Sequence, residues 1–283
     1  MKKVTKTLAL ALATAMMVGA LAACGDGAAN QSSTGNSSAP SSADNSSVAE
    51  STGNANTVVD GTITFGTNPE FPPFEFITAN GVIDNYDGID MAIAKKIAED
   101  NGMSVAMESM EFDSLLIALQ NGQIDAVIAG MTITEERAQS VNFSTPYYTA
   151  TQVMIVKEDS DIATAADIAD KKICVVQGYT GETCVSDMGY PYEAFKKGTE
   201  AVMELANGKC DVVVIDSATA AKYVADNTGL KIVEDPAAFE NEEYAIAVAK
   251  GNEELLEKIN ASIEKLLADG TISDLGVQYI DAE

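Results

Sequence analysis

Histidine and tryptophan are absent from the 283-residue sequence, and cations are scarce: 17 Lys and Arg stand against 43 Asp and Glu, a formal net charge of −26. Without histidine the chain lacks the commonest general base and metal ligand. The four cysteines, Cys24, Cys174, Cys184 and Cys210, include no C-x-x-C pair. No zinc site, other metal or cofactor is therefore expected. The charge deficit excludes nucleic acid and anionic membrane surfaces as charge-driven partners, because their phosphates repel the chain. It leaves two readings open, solubility or attraction for a cationic solute.

Long apolar runs are also missing beyond the start of the chain. Residues 1–23 read as an export signal: Lys2, Lys3 and Lys6 precede the run from Leu8 to Leu21, which is short for a membrane span. Its ending, Leu21-Ala22-Ala23-Cys24, resembles the lipobox of bacterial lipoproteins, whose cysteine is lipidated and becomes the first mature residue. The resemblance implies a palmitate-bearing anchor at Cys24, outside the cytoplasm on the outer face of the cell membrane or in the periplasm. The alternative is a cleaved signal with a chance cysteine. Residues 24–57, rich in Ser, Asn, Gly and Ala, hold too little apolar surface to offset ordering entropy and are expected to form a disordered tether. Such a coil reaches roughly 30 Å.

From Val58 to Glu283 the chain is long enough for two compact α/β lobes. An internal echo supports them. Leu119-Gln120-Asn121-Gly122-Gln123-Ile124-Asp125-Ala126-Val127-Ile128 is matched by Leu205-Ala206-Asn207-Gly208-Lys209-Cys210-Asp211-Val212-Val213-Val214. Each is a helix end, an Asn-Gly stop and a buried strand of the parallel type. A second echo pairs residues 61–66 with 171–176, two strands that run into loops. Helical periodicity covers Ile89 to Asp100, Ser114 to Gln120, Thr199 to Leu205, Ala218 to Asp226 and Glu253 to Asp269. These assign residues 58–149 and 247–283 to lobe 1 and 150–246 to lobe 2, with crossings near Thr149–Val153 and Glu243–Ala247 as a hinge. Ligands of open parallel sheets lie beyond the carboxyl ends of the strands, so loops from both lobes are expected to meet at one cleft. Cys174 and Cys210 sit at apolar strand positions and read as buried thiols, although a Cys174–Cys184 disulfide is compatible with the spacing.

The segment Ala129-Gly130-Met131-Thr132-Ile133-Thr134-Glu135-Glu136-Arg137 joins a strand to a helix. Thr132 with Glu135 has capping-box spacing, and Thr134 before two acids is an equally good helix start. Arg137 then puts a cation in the first helical turn, where the macrodipole disfavours it. A ligand carboxylate gripped by the guanidinium would hold it there; so would a salt bridge to Glu135, Glu136 or a neighbouring loop.

With these features together, the chain resembles the polar amino-acid-binding proteins of ABC importers, which include the histidine-, arginine- and glutamine-binding proteins. The resemblance rests on Pro72-Pro73-Phe74-Glu75, Gly88-Ile89-Asp90, residues 130–137, Phe143-Ser144-Thr145-Pro146-Tyr147-Tyr148 and Asp211-Val212-Val213-Val214-Ile215-Asp216. It implies a two-lobed periplasmic-binding-protein fold of type II, each lobe a mainly parallel sheet flanked by helices, with a free amino acid in the cleft. Arg137 would take the ligand α-carboxylate, helped by the backbone and hydroxyl groups of Thr132 and Thr180. Asp216 and the Gly130 carbonyl would take the α-ammonium, with Phe71 and Phe112 on either side of the ligand side chain. Taken alone, Phe71 and Phe112 are compatible with core positions and Asp216 with a helix cap. The partners implied are an ABC permease and its ATPase, with the binding protein a monomer.

The chain departs from the basic-amino-acid binders. Asn68 stands where those carry an acid, and Gly88 occupies a second acidic position. A neutral polar amino acid is therefore favoured, although Glu70, Glu111 or Asp87 could reach a cationic side chain. Two rivals remain: an enzyme on the same scaffold, resembling cyclohexadienyl dehydratases, and an amino-acid sensor that signals through a partner.

Overall fold

The computed structural model describes residues 56–280. The export signal, Cys24 and most of the expected tether lie outside the described residues. Among these residues no helix is long and apolar enough to cross a membrane.

The chain folds as α/β with two main sheets. In the first, the strands run in the order Ser104–Ser109, Thr62–Thr67, Ala126–Val127, Ala247–Ala249 and Val141–Phe143. The first three are parallel, and Ala247–Ala249 is antiparallel to both of its neighbours. The second sheet runs Tyr192–Phe195, Ile173–Val176, Val212–Asp216, Tyr148–Lys157 and Leu230–Val233. Its first three strands are likewise parallel, and the last two pair antiparallel. The central strands are buried on both faces: Ile63, Phe65, Val127, Val175, Val213 and Val214 are all at most 1 % exposed, and Thr64 between Ile63 and Phe65 is buried as well.

Both Asn-Gly stops end helices as expected. Gly122 and Gly208 follow the Leu115–Gln120 and Gly198–Ala206 helices with φ of 67° and 71°. The Glu253–Ala268 helix packs on Ile89–Asp100, joined by a hydrogen bond from Asn101 Nδ2 to Ser262 Oγ (3.1 Å) and the Lys265–Asp100 ion pair. Cys174, Cys184 and Cys210 are free thiols, the first and last buried.

The periodicity reads residues 244–248 as one strand; the structure divides them. Asn241–Tyr244 pairs with the start of the long Tyr148–Lys157 strand, whereas Ala247–Ala249 joins the first sheet. Ala245 and Ile246 carry the chain from one sheet to the other, fully buried throughout. Continuous burial hides such a change of partner, because apolarity marks depth and not the identity of the neighbour. A small sheet of Glu70–Phe71, Glu75–Ile77 and Tyr86–Asp87 has strands too short to leave a period in the sequence.

Gly88 has φ of 122°, and a Cβ there would fall 2.1 Å from the Phe74 carbonyl oxygen. No side chain fits at that position, so the missing acid follows from the backbone path.

Candidate functional site

The short Ala126–Val127 strand runs into a loop whose Gly130 has φ of 52°. A Cβ at Gly130 would meet the Phe71 ring at 2.6 Å, so both the conformation and the contact require glycine. The Gly130 N–H donates to Asp90 Oδ2 (2.8 Å), which also accepts from the Tyr147 hydroxyl (2.9 Å). Of the two possible helix starts the chain uses Thr134, whose hydroxyl accepts the Arg137 N–H (3.1 Å) at the head of Glu135–Ser140.

Arg137 is tied to carbonyls. Its Nη1 donates to Thr132 O (2.7 Å) and its Nη2 to Gly178 O (2.8 Å), and its guanidinium lies 5.3 Å from the Phe112 ring centroid. Gly178 follows a strand of the second sheet, so one side chain links loops of both lobes. Two of the five guanidinium donors are thus engaged, and three remain for a ligand. Loss of water lowers the Arg137 pKa, opposed by Glu242 and then Asp216; guanidinium stays charged regardless.

Asp216 closes the Val212–Asp216 strand and holds the N-cap position of Ser217–Asp226, yet its side chain caps nothing. It accepts hydrogen bonds from the Tyr244 hydroxyl and from Gln152. The helix-cap reading of Asp216 therefore fails. Burial, and next the charge of Glu242, push the Asp216 carboxyl up to about 7.

Gly130, Thr132, Arg137, Phe71 and Phe112 from the first lobe, with Thr180 and Asp216 from the second, line one cavity of about 210 Å³, its open mouth included. Ala129 and Tyr179 complete the lining. Asn68 is turned away. It is buried, donates to Met110 O (3.0 Å) and accepts from the Tyr179 hydroxyl (3.2 Å), so both ends of its amide tie down the cleft wall.

Four contributors escape the sequence reading. Tyr179 stands edge-on to both Phe71 and Phe112, at 5.3 and 4.7 Å between centroids. Glu242 Oε2 accepts from the Thr132 hydroxyl (2.8 Å) and the Thr180 hydroxyl (2.6 Å). Gln152 donates to the Thr180 hydroxyl (3.1 Å), and Tyr244 holds Asp216. Tyr179 adjoins Thr180 and could have been found from that neighbour. Gln152, Glu242 and Tyr244 lie on the crossing strands, where sequence marks only burial.

Beneath Gly130, the fully buried Glu75 faces Asp90. Burial, followed by Asp90, raises Glu75 well above the usual carboxylate range, and both Glu75 carboxyl oxygens and Asp90 Oδ1 are buried without a hydrogen-bond partner among the described residues. Burial raises Asp90 to about 6, against the lowering pull of the Gly130 N–H and Tyr147. Because its pKa is raised on folding, Asp90 contributes stability that is complete below its unfolded value of 3.8 and is lost as pH rises through about 6. At about 1.4 kcal/mol per pH unit this window represents on the order of 3 kcal/mol. Asp90→Asn should flatten the decline of stability between pH 4 and 7 relative to the wild type, measured by urea unfolding across that range. Parallel declines would contradict a raised Asp90 carboxyl.

Two lobes with mixed sheets, closing on a cavity lined by one cation, one acid and aromatic rings, define a solute-binding protein. The chain belongs to the bacterial extracellular solute-binding proteins, family 3, whose pattern matches residues 63–282. It is 34% identical over 224 residues to a protein of Neisseria gonorrhoeae named "Probable histidine-binding protein", covering 77% of this chain and 82% of that one. It is also 34% identical to the ABC transporter arginine-binding protein 1 of Escherichia coli (strain K12), over 77% of this chain and 90% of that one. Among solved structures, an ancestral arginine-binding protein bound to glutamine is 43% identical with a TM-score of 0.72, covering 78% of this chain and 98% of that chain.

Proposed function

We propose that this protein is the extracytoplasmic amino-acid-binding component of an ABC importer, capturing a free amino acid by lobe closure. Lobe 1 comprises residues 58–149 and 247–283, lobe 2 residues 150–246. A single observation carries the reading: Arg137 and Asp216, from opposite lobes, line the same cavity, so a zwitterion matches both. Arg137 and backbone N–H groups take the α-carboxylate, and Asp216 with the Gly130 carbonyl takes the α-ammonium. Ligand binding favours closure only through its difference in affinity for the open and closed forms, and contacts with both lobes supply that difference.

The protein performs no chemistry on its ligand. It works as a monomer held by lipid at Cys24, and the closed form docks on a permease backed by an ATPase. A neutral polar amino acid is the preferred class, because two acids that could meet a cationic side chain are engaged elsewhere. Glu70 pairs with Lys197 (2.7 Å), and Asp87 accepts from the Tyr279 hydroxyl (2.7 Å). A thermal-shift screen of the twenty amino acids and cystine tests the reading. A ligand at a hundredfold excess over its Kd stabilises the fold by about 3 kcal/mol; no shift with any of them would overturn it.

Gly130→Ala should weaken binding by about tenfold or more. It places a Cβ in the left-handed region and against Phe71, at a cost of about 1–2 kcal/mol for the conformation alone. Calorimetry on the folded variant checks this; unchanged affinity would remove Gly130 from the site.

A further inference from the structure

Glu242 belongs to no motif of the sequence reading and does not line the cavity, yet it bonds to a lining threonine of each lobe. It lies on Asn241–Tyr244, one of the two strands crossing between the sheets. One oxygen, Oε2, accepts from Thr132 of the first lobe and Thr180 of the second, at 2.8 and 2.6 Å. Both threonines are buried and both line the cavity.

A hydroxyl has one proton to donate and two lone pairs to accept with. Once the protons of Thr132 and Thr180 are committed to Glu242, neither hydroxyl can donate to a ligand. Thr180 also accepts from Gln152 (3.1 Å), leaving it one lone pair, while Thr132 keeps two. Toward the cavity both oxygens are acceptors only. They repel a carboxylate and suit an N–H donor.

We propose that Glu242 sets the selectivity of the cleft for ligands bearing an α-ammonium group, by holding the hydroxyl protons of Thr132 and Thr180 and adding a second negative charge beside Asp216. This deepens the amino-acid-binding reading and rests on it. The ligand carboxylate is left to Arg137 and backbone N–H groups, and a ligand without the ammonium meets lone pairs and carboxylates it cannot satisfy. Leaving such buried acceptors unpaired is costly, so discrimination of this kind is strong.

Glu242 acts on titratable groups of the elements around it: Arg137 on the short Glu135–Ser140 helix, the neutral Cys184 thiol on Thr180–Asp187, Asp216 at the end of its strand, and the neutral Tyr244 phenol two residues along. Glu242 is the charge that most opposes ionisation of Asp216, second only to burial. Replacing it with a neutral side chain should therefore let Asp216 ionise at lower pH.

The test compares wild type with Glu242→Gln and Glu242→Ala. Calorimetry at pH 8 uses L-glutamine and L-arginine with their deaminated counterparts, glutaramic acid and 5-guanidinovaleric acid. Carbon-13 NMR follows the Asp216 carboxyl in the protein without ligand, assigned by its loss in Asp216→Asn. In Glu242→Ala the freed hydroxyls can turn to a carboxylate, so the preference for the α-amino form should narrow roughly tenfold. The titration midpoint of Asp216 should fall in both variants. An unchanged preference, or affinities that drop equally for both ligand forms with the midpoint unmoved, would overturn the proposal. If the wild type binds none of the twenty amino acids or cystine, the amino-acid reading fails. The Asp216 midpoint then decides on its own whether Glu242 acts on this group.

Discussion

Arg137→Ala is expected to weaken amino-acid binding by about thirtyfold to several thousandfold, the cost of about 2–5 kcal/mol that follows truncation of one partner in a desolvated charge pair. Two losses combine. The ligand carboxylate forfeits its cation, and the closed form forfeits the guanidinium bonds to Thr132 O and Gly178 O, which join the lobes. Arg137→Lys separates these losses. An ammonium keeps the charge, but it cannot span two carbonyls and grip a carboxylate in parallel as a planar fork does. Lysine should therefore recover only part of the affinity. Calorimetry with the ligand identified by thermal shift, on variants shown to be folded, gives the ranking. Full affinity in Arg137→Ala would remove the residue from the site.

Asp216→Asn should act in two directions. Binding weakens, because the α-ammonium loses its charged partner. The protein without ligand becomes more stable near neutral pH, because a carboxyl raised to about 7 by burial and Glu242 costs stability as pH rises through that value, and an amide does not. A merely damaged fold would lose both. The same raised value makes wild-type binding pH-dependent. An ammonium favours the ionised carboxylate, so below about pH 7 the protein must release a proton to bind. Affinity should fall toward tenfold per pH unit there and level off above it. Asp216→Asn should flatten this dependence. Calorimetry in buffers of different ionisation enthalpy measures the proton released, and a wild-type affinity constant from pH 5.5 to 8 would contradict the assignment.

The parts of this molecule that sequence discloses are those set by local chemistry. The strand at Val212–Asp216 shows as an apolar run and that at Thr62–Thr67 as Ile63 and Phe65 alternating with threonines, and the Asn-Gly pairs mark helix ends because glycine there must adopt positive φ. Arg137 shows because a cation in a first helical turn conflicts with the macrodipole. Its resolution was not legible: carbonyls of Thr132 and Gly178 hold it, and Gly178 is 41 residues away. Glu242 is 110 residues from Thr132 and 62 from Thr180, so nothing local ties the three together. Asn68 shows the opposite limit. A resemblance can place a residue in the right loop, but only packing decides that its amide faces Met110 and Tyr179 and not the cavity.

The central claim is that a free amino acid bridges the lobes by its two α-groups. A crystal structure of the protein grown with its bound amino acid tests that most directly. The account predicts the α-carboxylate in parallel hydrogen bonds with the Arg137 guanidinium and the α-ammonium on Asp216. An amino acid seated in the cavity with those two groups exchanged, or with Asp216 still bound only to Tyr244 and Gln152, would contradict it.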